Sequence, residues 1–319
     1  DAPSAPAFPK FSGNAQYTCS PGGASDMGLA VGRHPDRPVM QVNNYGVGLF
    51  SSTGRSPDRD AYPKNLCALF DSGATFDPRA FFDWECGRYV IVAAETMADG
   101  RTMIAVSATD DPAGDYFVYR LPRLSGTDKT FPDFPRVGHD RRAIYIASNI
   151  FTHGKPRQYF HEEWLLLPKA ELYKGAAFAF NYIYATKIGG VTSDGSQPAS
   201  VWNPKEDPGP ALFIGSTSLN ANVFDGIIRC TAQNPCDELN VWAVADPLGA
   251  QPIVTAVTVK TKTKYSAPPP VAWQKTFWSN TSSGDTAISG TVSYAAGSLY
   301  ASLTTRVGDG NHARAAAIL

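Results

Sequence analysis

The chain has 319 residues, 43% of them hydrophobic, and its 28 Lys and Arg against 29 Asp and Glu leave a net charge of -1. This balance excludes the broad basic surface that nucleic-acid binding needs, and no apolar run approaches the roughly 18 residues of a membrane span. With 28 Gly and 25 Pro, the composition favours many short strands joined by turns.

Residues 1–26 are rich in Pro, Gly, Ser and Ala and are expected to form an extended arm. After the arm, apolar stretches separated by turn clusters come in groups of four. The first group is Leu29–Gly32, Val39–Asn43, Val47–Ser51 and Leu66–Phe70. The second is Arg79–Phe82, Tyr89–Ala94, Thr102–Ser107 and Tyr116–Leu121. Four strands per unit is therefore the predicted pattern.

The same pattern continues towards the C-terminus. The third group is Asp133–Val137, Ala143–Ser148, Glu163–Leu167 and Ala176–Ile183. The fourth is Ala199–Trp202, Ala211–Ser216, Leu239–Ala245 and Ile253–Val259. The fifth is Ala287–Tyr294, Leu299–Leu303 and Ala313–Leu319, without a fourth strand. The second and third units begin 56 residues apart, at Asp77 and Asp133.

Repeated four-stranded units predict an all-β fold, a β-propeller of antiparallel blades, in one domain over residues 27–319. A two-sheet sandwich is the alternative, but it does not account for the recurring short strand, polar hairpin and apolar strand. Five units are countable, and the last is incomplete. Either the arm supplies the missing strand, or the chain is part of a six- or seven-bladed ring.

In such a blade the loop entering the first strand and the loop between the second and third strands share one face. This places Arg79, Asp133 and Arg136 near the second-to-third loops, which carry Glu95, Asn149 and the histidines His153 and His161. His34 and His139 fall on the opposite face. Arg79 and Arg136 can bind carboxylates; the structural alternative is an Asp–Arg pair that locks neighbouring blades together.

Two carbohydrate chemistries fit these residue types. Elimination from an acidic sugar needs a cation, a base and an acid, for which the candidates are Arg136, His153, Tyr159 and His161. Hydrolysis needs two separated carboxylates, and Asp77, Glu95, Asp133 and Asp285 are available. Arg79, Glu95, Asp133 and Asn149 are predicted to bind the ligand. No cofactor is required, and Ca²⁺ held by channel oxygens stays an open alternative.

Five cysteines are present. Cys230 and Cys236 flank a short loop, with no second close Cys or His pair, so a disulfide is favoured over zinc. Cys67 and Cys86 are predicted to form a second bridge, which leaves Cys19 over. Disulfides indicate an oxidising, extracellular location. The start at Asp1 fits a leader that has been removed, and Asn280-Thr-Ser is a glycosylation acceptor triplet.

Two sets of motifs mark blade beginnings. They are Asp77-Pro-Arg with Gly87-Arg-Tyr-Val-Ile-Val, and Asp133-Phe-Pro-Arg-Val-Gly-His-Asp with Ile144-Tyr-Ile-Ala-Ser-Asn. With them the chain resembles secreted β-propeller proteins of bacteria and fungi, and it is similar in architecture to propeller glycosidases and polysaccharide lyases. Ser-x-Asp-x-Gly-x-Thr-Trp boxes, which sialidases carry, are absent, so no catalytic residue is transferred from any family.

The resemblance implies a secreted protein that acts on an acidic polysaccharide or glycan side chain by elimination or hydrolysis. The alternative is a noncatalytic extracellular propeller that binds glycans or proteins through its long loops. Aromatic side chains in and beside one long loop can stack on sugar rings; they are Phe151, Tyr159, Phe160 and Trp164, for which a place in the core is the alternative. A carbohydrate ligand is the expected partner in either case.

Overall fold

The computed structural model describes residues 27–44, 46–55, 64–96, 100–123, 129–154, 157–184, 187–188, 191–192, 195–217, 230–269, 271–272, 281–282, 286–288, 290–308 and 313–318. The predicted arm, Asp285 and Cys19 lie outside these residues, so the division into an arm and one domain stays a prediction. Within the described ranges no helix is long and apolar enough to cross a membrane.

The first three sheets each have four antiparallel strands that pair in chain order. In the first sheet, β1 is Gly28–Val31, β2 Val39–Val42, β3 Gly46–Phe50 and β4 Lys64–Asn65. In the second, β5 is Thr75–Asp83, β6 Arg88–Glu95, β7 Thr102–Ser107 and β8 Tyr116–Leu121. In the third, β9 is Thr130–His139, β10 Ala143–Thr152, β11 Tyr159–Pro168 and β12 Asn181–Tyr184.

The fourth sheet continues the pattern and extends it. After the short strands β13 (Lys187–Ile188) and β14 (Val191–Thr192), its own strands are β15 Gln197–Val201, β16 Ala211–Ser216, β17 Cys236–Ala245 and β18 Ile253–Tyr265. The remaining strands are β19 Val271–Ala272, β20 Thr281–Ser282, β21 Val292–Ala295, β22 Ser298–Tyr300, β23 Leu303–Val307 and β24 Arg314–Ile318.

β21 and β22 do not form a sheet of their own. β21 pairs in parallel with β15, so the fourth sheet has six strands, while β23 and β24 form a separate hairpin. Within the described residues, the fifth predicted unit is therefore not a four-stranded sheet. An apolar pattern predicts that a strand forms, but it does not show whether that strand joins a new sheet or the edge of an existing one.

The sheets stack face to face in chain order. One apolar layer lies between the first and second sheets, another between the second and third, and a third between the third and fourth. The first strands are also neighbours, since β1 contacts β5, β5 contacts β9 and β9 contacts β15. Four-stranded antiparallel sheets with adjacent first strands are the blades of a β-propeller. The predicted fold class is thus confirmed.

One predicted strand is a helix. Residues Leu66–Phe70 form the short helix α1, because the Asn65 side chain accepts hydrogen bonds from the N–H groups of Cys67 and Ala68 at 2.8 and 3.2 Å. Such an Asn cap satisfies donors that would otherwise be free at a helix start. A second short helix, α2 (Lys169–Leu172), follows β11.

The predicted disulfide between Cys230 and Cys236 is confirmed, with their Cα atoms 5.2 Å apart. The predicted bridge between Cys67 and Cys86 is wrong: Cys86 is a free, exposed thiol, and Cys67 is bonded elsewhere. The Cys67 sulfur accepts the N–H of Thr75, where β5 begins, whereas Cys86 lies in the turn after β5 ends. Nine residues of extended strand separate the two ends by about 25 Å, so no disulfide can form.

Candidate functional site

The start of β9 and the loop between β10 and β11 lie at one end of the blades. Phe131 pairs with Phe151 in the sheet, and the ring centroid of His153, in the loop, is 5.0 Å from that of Phe131. We call this end, with the starts of β5 and β9, the mouth face. The turns after β5 and β9, which carry Cys86 and Asp140, form the opposite end, the hairpin face. As predicted, the loop that enters the first strand of a blade and the loop between its second and third strands lie at the same end.

The inner strands β5 and β9 both carry a β-bulge near the mouth face. In β5 the pairing skips from Phe76 to Arg79, and the bulge contains Asp77-Pro78. In β9 it skips from Asp133 to Arg136, and the bulge contains Phe134-Pro135. Bulges bend a strand and re-aim its side chains, and they are frequent beside active sites.

The two bulges show which residues are equivalent. Asp77 and Phe134 both have a left-handed backbone, with φ of 50°, so Phe134, and not Asp133, corresponds to Asp77. Arg79 and Arg136 are equivalent, as expected, and the repeat is 57 residues at this point (136 minus 79). The interval of 56 residues between Asp77 and Asp133 therefore matches two aspartates that occupy different positions in their bulges. The Pro-Arg dipeptide that follows each bulge is the signal that gives the correct alignment.

Asp77 and Asp133 nevertheless meet, because the side chain of Asp133 is hydrogen-bonded to that of Asp77. Burial is the largest effect on Asp133 and raises the pKa of its carboxyl, against the opposing effects of the hydrogen bond and of Arg157 and Arg136. Two carboxyl groups can share a hydrogen bond only when one is protonated. The mouth face therefore holds two carboxyl groups in contact, and burial favours the protonated form of Asp133.

Neighbouring blades fix the position of Asp77. Its backbone N–H donates to the Asn44 side chain in the first sheet at 2.7 Å. Its own Oδ2 accepts the backbone N–H of Phe134 in the third sheet at 3.1 Å. A left-handed backbone at a residue other than Gly is strained by about 1 to 3 kcal/mol, and these contacts from two sides hold it.

The ring of Phe134 packs near two arginines. The guanidinium carbons of Arg79 and Arg136 are 4.8 and 5.4 Å from its centroid, distances at which cations attract an aromatic ring. Arg79 is half-buried, whereas only 1% of Arg136 is exposed. The two equivalent arginines therefore differ in access: Arg79 can meet a ligand and Arg136 cannot.

Arg136 is held by buried groups of its own blade and the next. It donates to Glu162 at 2.5 Å, to the Ser196 carbonyl at 2.6 Å and to Asn149 at 3.0 Å. Glu162 also accepts from the N–H and hydroxyl of Ser196. The predicted catalytic Arg136 and the predicted ligand residue Asn149 thus belong to a network inside the fold, of the blade-locking kind, although Glu162 takes the place of the expected aspartate.

A cavity of about 510 Å³ lies along the inner strands. Arg79 and Phe134 line it, together with Gln197, Ser200 and Trp202 from the fourth sheet and the following turn. One cation, a few hydrogen-bonding groups and aromatic surface are the composition of a small-molecule or sugar site. Because Phe134 also donates its N–H to Asp77, the acid pair adjoins this cavity.

The other predicted site residues lie apart from the cavity lining. His153 is exposed in the mouth loop, and the Tyr159 ring packs against Phe151 with 5.8 Å between centroids. His161 is 3% exposed and its Nε2 is 3.0 Å from Glu163. Glu95 is 5% exposed and accepts the Ser72 hydroxyl at 2.5 Å. Of the four predicted catalytic side chains, only His153 is exposed.

No three His, Cys, Asp or Glu side chains converge within the described part of the chain, and calcium binding stays a prediction. The sequence does not predict Phe134 as part of the site, and it places Asn44 in a second-to-third loop at this face without its contact to Asp77. That contact gives no signal in the sequence, since it spans 33 residues.

No protein-family model matches the chain, and no curated protein does. Among solved structures, the subtype N11 neuraminidase-like protein of A/flat-faced bat/Peru/033/2010 (H18N11) is similar over 99% of this chain and 96% of that chain, with 7% identity and a TM-score of 0.39. Cellvibrio cellulosa alpha-L-arabinanase is similar over 88% and 86%, with 11% identity and a TM-score of 0.33. Scores this low do not establish a relationship to either protein. The propeller fold is shown by the strand pairing of this chain.

Proposed function

We propose that this protein is a secreted, carbohydrate-active propeller that cleaves an acidic polysaccharide by β-elimination at the mouth face. The observation that carries the proposal is the hydrogen-bonded pair Asp77 and Asp133, together with Arg79, which lines the cavity that Phe134 shares. The Cys230–Cys236 disulfide supports an extracellular site of action.

The spacing of the acid pair favours elimination over hydrolysis. Glycoside hydrolases keep their two carboxyl groups about 5 to 9.5 Å apart, so that the sugar bond fits between them. Two carboxyls that share a hydrogen bond are much closer than this. Three other buried carboxyls near this end already have partners: Glu95 accepts from Ser72, Glu162 from Arg136, and Glu163 from Arg123. A pair holding one proton instead supplies a base and an acid side by side.

Elimination needs only that pair and a cation. The carboxylate of Asp77 takes the proton at C5 of a uronate residue, and the electron pair left behind forms the C4–C5 double bond. The bond from C4 to the leaving oxygen breaks, and that oxygen receives the proton of Asp133. One proton enters the pair and one leaves, so transfer across the hydrogen bond restores the starting state without water or a cofactor.

Arg79 is the group that makes C5 acidic in this scheme. Its guanidinium binds the uronate carboxylate with paired hydrogen bonds and neutralises the charge that spreads onto that group as the C5 proton leaves. Arg136 acts one step away, because it also packs near the Phe134 ring and limits where that ring, and hence Arg79, can lie. Arg136 is in this view a positioning residue.

The test is turnover of uronate polysaccharides such as pectate, alginate and glucuronan, followed by the ultraviolet absorbance of unsaturated ends. Asp133→Asn and Arg79→Ala are expected to lower kcat/KM by at least about a hundredfold. Asp36→Asn, an exposed aspartate at the hairpin face, is the matched control and should not change it. New reducing ends without ultraviolet absorbance would show hydrolysis instead. Binding without any product would favour the noncatalytic alternative.

A further inference from the structure

Strand β11 has a β-bulge of its own, next to the mouth loop. Ile150 of β10 pairs with His161 and Phe151 pairs with Tyr159, so Phe160 is an extra residue without a cross-strand partner. In a regular strand, consecutive side chains point to opposite faces. The bulge removes that alternation and brings the rings of Phe160 and His161 together, with 4.7 Å between centroids.

Three rings form a row at this bulge. His161 lies between Phe160 and Tyr184, whose ring centroid is 4.8 Å from that of His161. Phe160 is 57% exposed and Tyr184 is 48% exposed, while His161 is only 3% exposed. Two large aromatic faces are thus open to solvent on either side of a buried imidazole. An exposed bulge that presents a phenyl ring has no role in the core.

Buried charges hold this row in place. His161 Nε2 is 3.0 Å from Glu163 Oε1, which also accepts a hydrogen bond from Arg123 at 3.2 Å. Arg123 in turn donates to the carbonyl of Thr130, the first residue of β9. His161 and Glu163 are each less than 5% exposed. The aromatic rings therefore rest on a fixed base and lose little freedom when a ligand binds.

We propose that Phe160 and Tyr184 form a second sugar-binding subsite, which stacks on a residue of the glycan chain away from the bond that breaks. This inference rests on the proposed function. Exposed aromatic rings pack against the apolar faces of pyranose rings, and the Tyr hydroxyl is free to meet the ring's polar edge. A polysaccharide is the occupant argued for, because Tyr159, the residue before Phe160, pairs with Phe151 at the mouth face.

That loop links the row to the acid pair by charge. Arg157, exposed in the loop, interacts electrostatically with Asp133, and its guanidinium carbon is 5.0 Å from the Phe131 ring centroid. A uronate chain that leaves Asp133 towards Phe160 passes this cation. The subsite therefore accounts for recognition of a long acidic chain, where the acid pair and Arg79 act on a single residue.

The experiment compares long and short pectate oligomers in the full chain. In Phe160→Ala/Tyr184→Ala, binding of long oligomers, measured by calorimetry in the Asp133→Asn background to prevent turnover, should weaken by about tenfold or more. Binding of the shortest oligomers should be unchanged. Phe160→Tyr keeps both rings and the Tyr184 hydroxyl and should bind as the parent does. Trp84→Ala, a 50% exposed aromatic at the hairpin face, is the control.

Equal affinity of the double alanine variant and its parent for every oligomer would overturn the subsite, as would an equal loss for long and short oligomers. Thermal melts of each variant check that the blade is intact. The elimination proposal can fail separately: if wild-type protein forms no unsaturated ends, length-dependent binding of pectate or of neutral glycans that needs Phe160 and Tyr184 still supports the subsite. If no glycan binds in a way that depends on both its length and these two rings, the subsite is rejected.

Discussion

The guanidinium of Arg136 and the carboxylate of Glu162 are 2.5 Å apart and almost completely buried, with 1% and 0% of their side chains exposed. Arg136 belongs to the inner strand β9, while Glu162 belongs to β11, and Ser196 of the next blade bonds to both. This ion pair therefore fixes the third blade to the fourth, and it also supports the Phe134 ring on which Arg79 packs.

Glu162→Gln is expected to destabilise the protein strongly. The substitution keeps the shape of the side chain but leaves the Arg136 charge buried without its partner, which costs about 3 to 5 kcal/mol. Urea unfolding followed by tryptophan fluorescence measures the change. Lys260→Ala, which removes exposed ion pairs with Asp237 and Glu238, is the control and should leave the midpoint unchanged. Equal midpoints for the two variants would mean that the buried pair does not hold the blades.

Asn44→Ala should lower turnover by loosening the acid pair. Asn44 accepts the N–H of Asp77, and loss of a buried hydrogen bond of this kind destabilises by about 1 to 3 kcal/mol. With its left-handed backbone released, Asp77 is expected to lie less often against Asp133, so kcat falls while KM changes little.

The matched control is Asn43→Ala in the same turn, because the Asn43 side chain accepts the N–H of Gly46 and not that of Asp77. Each variant loses a side-chain hydrogen bond to a backbone N–H, but only Asn44→Ala should also shift the pH profile of kcat/KM, as the coupling within the acid pair weakens. The same profile in both variants would assign Asn44 a purely structural role.

Gly138→Ala tests the close approach of two inner strands. A methyl group at Gly138 would lie 2.5 Å from the Ala199 carbonyl oxygen and 2.6 Å from the Pro198 backbone, and backbone atoms cannot move aside as a flexible side chain does. Overpacking of this kind destabilises by about 1 to 3 kcal/mol. Gly290→Ala, where the nearest atom is the Ser302 hydroxyl at 3.6 Å, should melt near the wild-type temperature.

Much of the fold could be predicted because the strand signals are local. Tyr89–Ala94 and Ala143–Ser148 are β-branched or small apolar runs bounded by turn residues, and both are strands. Leu66–Phe70 is equally apolar, but five residues cannot distinguish a strand from a helix by periodicity. Only the Asn65 cap indicates a helix here, and that signal comes from a single side chain.

The site was harder to predict because burial depends on distant partners. Arg79 and Arg136 have the same local sequence, x-Pro-Arg, yet Arg136 is sequestered by Glu162, 26 residues away, and by Ser196, 60 residues away. No local pattern encodes that difference. The contact between Asp77 and Asp133 likewise arises from two bulges in different blades.

A buried histidine at the hairpin face is expected to make the protein less stable at acidic pH. His139 is buried against the rings of Phe81 and Trp202, and Lys169 donates to its Nδ1 at 3.3 Å. Burial, reinforced by the Lys169 charge, lowers the pKa of His139 to about 3, although Asp83 opposes the shift. In the unfolded chain the imidazole has its ordinary pKa near 6.5. The folded state therefore excludes a proton that the unfolded state accepts.

The sign follows from this difference. The contribution of neutral His139 is complete above pH 6.5 and is lost as pH falls from there towards 3, by about 2 kcal/mol between pH 7 and pH 5. Asp83 titrates at lower pH than His139 does in the unfolded chain. Burial raises the pKa of its carboxyl, but Lys169 outweighs burial and lowers that pKa. Its contribution is lost only below about pH 3.8, so within this cluster of Asp83, His139 and Lys169 the loss between pH 7 and 5 comes from His139.

His139→Phe keeps an aromatic ring between Phe81 and Trp202 but has no titrating group. The variant is expected to lose stability at neutral pH, because Lys169 loses one acceptor while it keeps Asp83, 2.6 Å away. Its free energy of unfolding should, however, fall by about 2 kcal/mol less than that of the wild type between pH 7 and pH 5. Urea titrations at the two pH values measure both slopes. Parallel slopes would mean that His139 is protonated in the folded protein and that its burial does not set the acid limit of stability.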